Sequence, residues 1–281
     1  MCRWLGYSGG QVYLEDLLFK PVNNLIDQSL SSRSAETPTN GDGFGVGWYG
    51  TRERPGLFRS IRPAWNDFNL RDLAANIQSH LFLAHIRATS LATVQETNCH
   101  PFRYGNWLFV HNGEIFGVEK SRRDLLTAVE PKYFENIQGT TDSELMFHLA
   151  LTFGLETDPP GALARMAGLI EQVSRSHGVE ESLWMTLGLT EGSTFYGVRY
   201  ASDGEAPTLF HSRDMKDLCG LNPALGERFG ATARVLVSEP SGRYPEMWSP
   251  VPQGSLVIIR GGDFEIRPFR PDPDVSIGSM C

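Results

Sequence analysis

The chain has 281 residues, of which 41% are hydrophobic and 21% charged, and its formal net charge is −8. This composition is typical of a globular protein, and the length allows one large domain or two small ones. The acidic balance and the lack of a lysine- or arginine-rich run argue against nucleic acid or an acidic membrane surface as a partner. No apolar run approaches the ~18 residues of a membrane span, and Glu15, Asp16 and Lys20 interrupt any signal-peptide core. We therefore expect a cytoplasmic protein.

The first predicted feature along the chain is a polar loop over 28–43, and short apolar runs and helical spacings follow it. The expected strands cover 43–49, 81–86, 107–111, 183–189, 194–200, 206–211, 234–238, 255–260 and 263–268, and the expected helices cover 70–78, 141–154 and 161–176. Thr141 and Glu144 form a capping-box pattern at the start of the second helix. This order, with no evident linker, indicates one α+β domain over 1–270 and a loose tail over 271–281.

The four cysteines, Cys2, Cys99, Cys219 and Cys281, form no CxxC pair and indicate neither a disulfide framework nor a zinc site. Cys2 stands out because it follows Met1 in a context in which the start methionine is usually removed. Removal would place a thiol, with an ordinary pKa of about 8.5, beside an α-amino group with a pKa of about 7.7–8.0. One residue could then serve as nucleophile and base. The alternative is a small apolar residue at the start of a buried strand.

Polar residues that could carry chemistry follow the buried runs. Arg87 comes after the run 81–86, where its planar guanidinium could bind a carboxylate or form a structural ion pair. Asn112-Gly113 follows the run 107–111 and is either a type I′ hairpin turn or a pair of donors for an oxyanion. Asp142 lies in the first turn of a predicted helix, where it either complements the helix dipole or binds an ammonium group.

The order of these motifs is more specific than any one of them. Cys2 near the start, then HIRATS (85–90), NCHPF (98–102), HNGEI (111–115) and GTTDSE (139–144), resembles the class II glutamine amidotransferases of the N-terminal-nucleophile hydrolase superfamily. The resemblance is strong to about Phe153 and weaker over 237–240 and 248–257, where the chain is similar to small stand-alone γ-glutamyl hydrolases of ergothioneine biosynthesis and glutathione breakdown. It implies a four-layer αββα sandwich.

The resemblance also implies a role for each site residue. Cys2 matches the nucleophile and its α-amino group the base, while Asn112 and Gly113 match the oxyanion donors. Arg87 matches the residue that binds the substrate α-carboxylate, and Asp142 the residue that binds its α-ammonium group. The implied reaction is hydrolysis of the γ-amide of glutamine through a γ-glutamyl thioester, with no metal or organic cofactor.

Two other patterns have competing interpretations. His80, His85, His100 and His111 could form a metal cluster, but their spacing is not typical of one, and we expect the last three to brace the pocket through hydrogen bonds. The glycine-spaced run 41–47 is not GxGxxG, so we interpret it as a strand whose missing side chains let substrate approach closely.

The leaving group of the substrate stays open. Glutamine is the default, and a γ-glutamyl peptide or γ-glutamyl thiol conjugate is the alternative. The motifs occupy nearly the whole chain, so we expect ammonia either to pass to a separate synthase subunit or to have no acceptor. The polar loop and the arginine-containing stretch 51–69 could shape the part of the substrate pocket that contacts the leaving group. A third interpretation is an amino-acid-binding module that keeps Arg87 and Asp142 but lacks turnover.

Overall fold

The secondary structure is taken from a computed structural model that describes residues 2–30, 39–88, 93–215 and 228–275. In chain order its strands are β1 (Arg3–Tyr13), β2 (Phe44–Trp48), β3 (Gly56–Ser60), β4 (Gln78–Ile86), β5 (Phe102–Tyr104), β6 (Trp107–Ile115), β7 (Leu183–Thr190), β8 (Thr194–Ala201), β9 (Phe210–Ser212), β10 (Arg234–Val237), β11 (Trp248–Pro250), β12 (Ser255–Arg260) and β13 (Asp263–Pro268). Its helices are α1 (Glu15–Leu18), α2 (Leu25–Leu30), α3 (Phe68–Asn76), α4 (Val118–Thr127), α5 (Pro131–Phe134), α6 (Asp142–Thr152) and α7 (Pro159–Ser176).

The strands form two antiparallel sheets. The first has the order β11-β9-β10-β1-β4-β2-β3, and the second has the order β13-β12-β8-β7-β6-β5. Because side chains alternate along a strand, β1 directs Trp4 between the sheets and Leu5 towards α1–α3. In the same way β6 directs Val110 between the sheets and Phe109 onto Phe147 of α6. Helices therefore cover the outer face of each sheet, and the expected four-layer αββα sandwich is confirmed.

Most of the predicted elements are present, with boundaries shifted by a few residues. The apolar run 81–86 lies within β4 and is buried on both faces, as its composition predicted. The Thr141 hydroxyl accepts from Glu144 N–H at 3.1 Å, which is the expected cap. The Glu144 carboxylate does not complete the capping box. It accepts instead from the N–H groups of Gln138 and Gly139, at 3.0 and 2.6 Å.

The hairpin interpretation of Asn112-Gly113 is wrong. Both residues lie inside β6, which continues to Ile115, and they pair with Thr186 and Met185 of β7. The long β7 partner keeps the backbone extended where the local sequence favours a turn.

The described part of the expected loose tail, 271–275, contacts the core. Asp272 N–H donates to the Ala164 carbonyl of α7 at 2.9 Å, and Val275 is buried against the same core. The assignment of one domain to 1–270 stays a prediction. Outside the described residues lie Met1, 31–38 of the polar loop, Thr89 and Ser90 of the HIRATS motif, Cys219, Cys281 and 276–281 of the tail. Among the helices that the structure describes, none combines the length and the apolar character needed to cross a membrane.

Candidate active site

A cavity of about 500 Å³ lies where the residue before β1, the end of β4, the end of β6 and the start of α6 meet. Cys2, Arg87, His111, Gly113 and Asp142 line it. The other two predicted site residues, Asn112 and His85, do not line the cavity but are buried beside residues that do. The fold thus gathers residues that are up to 140 positions apart in sequence around one space.

The position of Cys2 follows from strand register. Arg3 pairs with Ile86, which places Cys2 opposite Arg87 at the end of β4. The Ala88 N–H donates to Cys2 Sγ at 3.4 Å. Burial raises the pKa of the Cys2 thiol, an effect that the Ala88 N–H and the Arg87 charge oppose and that Asp142 reinforces. A thiol in this environment needs a base to become a nucleophile.

Arg87 is buried, with 3% of its surface exposed, and hydrogen bonds hold it in place. Its backbone N–H donates to the carbonyl of Gly43, the residue before β2, at 2.8 Å, and its backbone carbonyl accepts from Asp42 N–H at 3.1 Å. Its Nη1 donates to the Asp42 carbonyl at 3.5 Å. This neighbourhood fixes the guanidinium at the cavity wall, where it can bind an anion bidentately.

One edge of β6 faces the cavity, and the backbone N–H and C=O groups of every second residue, His111, Gly113 and Ile115, point to that edge. His85 Nε2 donates to the His111 carbonyl at 3.1 Å, and Ile115 N–H donates to Asp142 Oδ2 at 2.9 Å. Residues two apart in a strand direct their backbone groups to the same edge. Gly113 lies between these two residues, so its N–H also points to the cavity edge, as an oxyanion donor must.

Gly113 is required at this position by its conformation and its surroundings. Its φ is +153°, and a Cβ there would overlap the Trp184 carbonyl and lie 2.7 Å from His111 Nε2. Neighbouring Asn112 is 3% exposed, so its side-chain amide is withdrawn from bulk water. Donors fixed in this way need little reorganisation when charge develops on a substrate oxygen.

Asp142 is positioned by the first turn of α6. Its Oδ1 accepts from Ser143 N–H at 2.7 Å, and its Oδ2 holds Ile115 as described above. The Ser143 hydroxyl donates to His111 Nδ1 at 2.8 Å, and His111 Nε2 donates to the Trp184 carbonyl at 3.2 Å. Burial lowers the pKa of His111 despite the opposing effect of Asp142, so the ring is neutral and carries its proton on Nε2.

His85 and His111 make the expected hydrogen bonds at the cavity wall, whereas the expectation is wrong for His100, because neither of its ring nitrogens has a partner among the described residues. His85 stacks on His100 with ring centroids 4.1 Å apart, and burial lowers the pKa of His85 to about 3. His100 lines the cavity, and burial also lowers its pKa well below the ordinary value. His80 lies elsewhere, with Nε2 3.1 Å from the Gly192 carbonyl. Across the described ranges, no group of three or more His, Cys, Asp or Glu side chains could hold a metal ion.

Two expectations about the cavity wall are wrong. Gly43, just before β2, and Gly45 within it make room for the chain around Cys99 and His100, not for a substrate, because a Cβ at Gly43 would lie 2.6 Å from Cys99 Sγ and one at Gly45 would overlap the His100 carbonyl. A Cβ at Gly47 would meet the Leu108 side chain. The arginines within 51–69 do not line the cavity at Cys2. Cys99 itself is fully buried and also outside the cavity lining, as expected of a small core residue.

Sequence reasoning missed the wall formed by Glu114 and α4, from which Val118, Glu119 and Arg122 line the cavity. The signal for α4 was weak because charged residues fill the stretch EKSRRD (119–124) and only widely spaced apolar residues mark a buried face. Burial raises the pKa of Glu114, and the nearby charges of Asp142 and Glu119 act in the same direction. Glu114, Glu119 and Asp142 thus outnumber Arg122 on this side of the cavity, which makes it suited to a substrate ammonium group.

The chain is similar to proteins of one family. Residues 20–173 match the family described as glutamine amidotransferases class-II. A probable glutamine amidotransferase, DUG3, from Saccharomyces cerevisiae is 34% identical over 97% of this chain and 87% of its own length. A gamma-glutamyl-hercynylcysteine sulfoxide hydrolase from Mycolicibacterium smegmatis is 26% identical over 96% of this chain and its full length. The solved structure of a glutamine aminotransferase class-II domain protein from Silicibacter pomeroyi is 32% identical, with a TM-score of 0.73 over 96% of this chain and all of that one.

Proposed function

The chain belongs to the class-II glutamine amidotransferases, a family of amidohydrolase enzymes, and from that premise we propose that Cys2 attacks the γ-amide of a γ-glutamyl substrate. The observation that carries the proposal is the arrangement of groups around one cavity. Cys2, Arg87 and Asp142 line it together, and the N–H of Gly113 points to its edge. A γ-glutamyl amide presents one carboxylate, one ammonium group and one scissile carbonyl, and each has a complementary partner here.

The first step is formation of a γ-glutamyl thioester. Removal of Met1 would give Cys2 a free α-amino group, whose ordinary pKa of about 7.7–8.0 suits a base at neutral pH. That amine takes the thiol proton, Sγ attacks the γ-carbonyl, and the oxyanion is stabilised by the Gly113 N–H and the Asn112 side chain. The C–N bond then breaks as the ammonium group returns the proton to the leaving amine.

Hydrolysis completes the cycle. The same α-amino group takes a proton from water, which attacks the thioester carbonyl, and the oxyanion again forms beside Asn112 and Gly113. The C–S bond then breaks and glutamate leaves, while the α-ammonium group returns the proton to sulfur and so restores the Cys2 thiol and the free amine. Arg87 and Asp142 hold the α-carboxylate and α-ammonium group throughout, and buried His85 and His111 keep the end of β6 in place.

Glutamine is the substrate that family membership supports first. A larger γ-glutamyl peptide or thiol conjugate is the second candidate, and the size of the cavity favours it. About 300–1,000 Å³ is usual for pockets that take drug-sized ligands, and this cavity has about 500 Å³. Glu119 and Arg122 of α4 supply polar groups beyond those assigned to the glutamyl part. With glutamine as the substrate, the ammonia either passes to a separate synthase subunit or has no acceptor, and a cytoplasmic location belongs to this proposal as well.

The test is glutamate release by protein from which Met1 has been removed, with glutamine, γ-glutamyl dipeptides and glutathione as substrates. We expect Cys2→Ala to remove all release while the protein stays folded. Cys99→Ala is the matched control, because it deletes a second thiol that is buried outside the cavity. Preference for glutamine would support a glutaminase, and preference for a conjugate would support a stand-alone hydrolase. Binding of glutamate without turnover of any substrate would support the amino-acid-binding module instead.

A further inference from the structure

Three arginines line a second cavity, of about 360 Å³, on the side of the sandwich where the edge strands β3 and β5 lie. Arg59 comes from β3, Arg103 from β5 and Arg54 from the turn before β3. We call this space the arginine pocket. It shares no lining residue with the cavity at Cys2 among the residues that the structure describes.

The charges of the arginine pocket are only partly balanced, because among the described lining residues one carboxylate, that of Glu144, stands against three guanidinium groups and Arg59 acts on its charge. Throughout the described residues, no ion pair within 4.0 Å involves these three guanidinium groups. Arg59 Nη1 donates to the Cys99 carbonyl at 3.3 Å, and Arg103 Nη1 donates to the Pro55 carbonyl at 2.9 Å. These contacts fix the Arg59 and Arg103 side chains. Each guanidinium group has five N–H donors, so others remain for a ligand.

The same three groups repel each other. Burial lowers the pKa of Arg103, and the charges of Arg54 and Arg59 act in the same direction. Three like charges held close together with one carboxylate nearby cost free energy that an added anion would recover. Glu144, whose carboxylate is the one carboxylate among the described lining residues, is already bonded to the N–H groups of Gln138 and Gly139.

A buried histidine adjoins the pocket with one nitrogen unpartnered. His148 is 3% exposed, and its Nδ1–H donates to the Glu144 carbonyl at 2.8 Å. Burial lowers its pKa, so Nε2 carries a lone pair, and that atom has no hydrogen-bond partner among the described residues. Buried polar atoms without partners are uncommon, and this one calls for a donor such as a hydroxyl or N–H group.

We propose that the arginine pocket binds a small phosphate-bearing ligand, with the phosphate among Arg54, Arg59 and Arg103 and a hydroxyl or N–H group of the ligand near His148. A phosphate fits better than a carboxylate because it carries up to two charges and presents oxygens in several directions. Guanidinium groups from two segments, Arg54 and Arg59 from the chain leading into and along β3 and Arg103 from β5, can therefore each reach one of its oxygens.

Binding at this site does not depend on the chemistry at Cys2. The wall between the two cavities includes the chain from Cys99 to Phe102, since Arg59 contacts the Cys99 carbonyl, His100 lines one cavity and Phe102 lines the other. A ligand in the arginine pocket would leave the Cys2 cavity open. Failure of this proposal and failure of the proposed hydrolase are therefore separable, and Cys2→Ala should bind the ligand like the wild type.

The experiment is calorimetric titration of the full chain with inorganic phosphate and with pyrophosphate at constant ionic strength. We expect one saturable site, with pyrophosphate bound more tightly. Arg54→Gln should weaken binding several-fold, and the double variant Arg54→Gln/Arg103→Gln should weaken it at least about tenfold, since each removes a charge-assisted bond. Arg62→Gln is the matched control, because Arg62 is an exposed arginine close in sequence that does not line the pocket.

Three results would overturn the proposal. They are the absence of saturable binding by either anion, equal weakening in Arg62→Gln, and binding of succinate as tight as that of pyrophosphate. Because Arg103 also contacts the backbone, circular dichroism and the melting temperature of the double variant are measured alongside. If that variant unfolds, the single exposed substitution Arg54→Gln decides the question.

Discussion

The cavity at Cys2 and the arginine pocket both adjoin α6, yet they treat charge in opposite ways. Around Cys2, among the described residues, Arg87 faces a wall with three carboxyl groups (Glu114, Glu119 and Asp142) and one further arginine, Arg122, and the supporting histidines are buried and neutral. In the arginine pocket, three like charges share one space and the single carboxylate is bonded to the backbone. The first arrangement suits a zwitterionic substrate and the second a multivalent anion.

The difference arises within a few residues of one helix. Asp142 begins α6 and faces the Cys2 cavity, whereas Glu144 and His148 lie four residues apart on one side and line the arginine pocket. Positions two apart on a helix point in nearly opposite directions, and positions four apart share a face. One polar helix start can therefore serve two sites of different chemistry.

The largest expected effect is that of Gly113→Ala. A Cβ there meets the Trp184 carbonyl and His111, and φ is +153°, so we expect a loss of at least about 2 kcal/mol in the free energy of unfolding and of nearly all activity. Gly105→Ala is the control, since its φ is +56° but no atom lies within 4 Å of the added Cβ. It should cost only about 1 kcal/mol. Equal costs in urea unfolding would contradict the steric argument.

Asn112 tests the oxyanion role without backbone strain. We expect Asn112→Asp to lower kcat by about 10²–10³ with little change in KM, because the side chain keeps its size but loses its N–H donor. Steady-state glutamate release measures both constants. A variant with unchanged kcat would remove Asn112 from the mechanism and leave Gly113 as the proposed donor.

Asp142→Asn should act on binding. Loss of a charge-assisted hydrogen bond to the substrate ammonium group predicts a KM about 10- to 100-fold higher with a smaller change in kcat. Glu114→Gln removes a charge from the same cavity and is the matched control. If the two variants raise KM equally, the acidic wall as a whole, and not Asp142 in particular, attracts the substrate.

Acid should destabilise the Cys2 side of the molecule through its buried histidines. The pKa of His85 falls to about 3 in the folded chain, so between that pH and the ordinary value of about 6.5 the unfolded chain binds the proton and the folded chain does not. The free energy of unfolding should therefore decrease as the pH falls below about 6.5, by about 1.4 kcal/mol per pH unit for each such histidine.

His100→Phe tests this pH dependence. The pKa of His100 is also lowered by burial, and neither ring nitrogen has a partner within the described ranges. When urea unfolding is measured between pH 7 and 5, the free energy of unfolding of the variant should decrease less steeply with falling pH, by the contribution of one histidine. An unchanged slope would mean that His100 is protonated in the folded protein.

The smallest expected effect is that of Arg54→Gln on stability. The side chain is exposed and its neighbours carry the same charge, so the free energy of unfolding should change by no more than about 0.5 kcal/mol. Thermal unfolding alongside Arg62→Gln measures the difference. A loss of unfolding free energy well above that of Arg62→Gln would show that Arg54 stabilises the fold in the absence of a ligand.

Much of the fold could be predicted from local patterns. The apolar run of β4, the cap at Thr141 and the spacing of α7 each depend on residues close in sequence, and these elements are present. α4 could not be predicted because its buried face is narrow, and β6 was cut short because Asn112-Gly113 favours a turn unless a partner strand holds it extended. The role of the glycines in β2 depended on which chain packs against them, and no local pattern records that.

The sequence by itself determined the family, the order of the motifs and the residue types that a γ-glutamyl substrate requires. Tertiary structure alone decided that the strand register brings Cys2 to Ala88, that the edge of β6 directs the Gly113 N–H to the cavity, and that the arginines near β3 line a different space. The physical reason is that hydrophobic periodicity and capping act within one or two turns of chain, whereas register, edge direction and shared cavities are set by contacts between segments far apart in sequence.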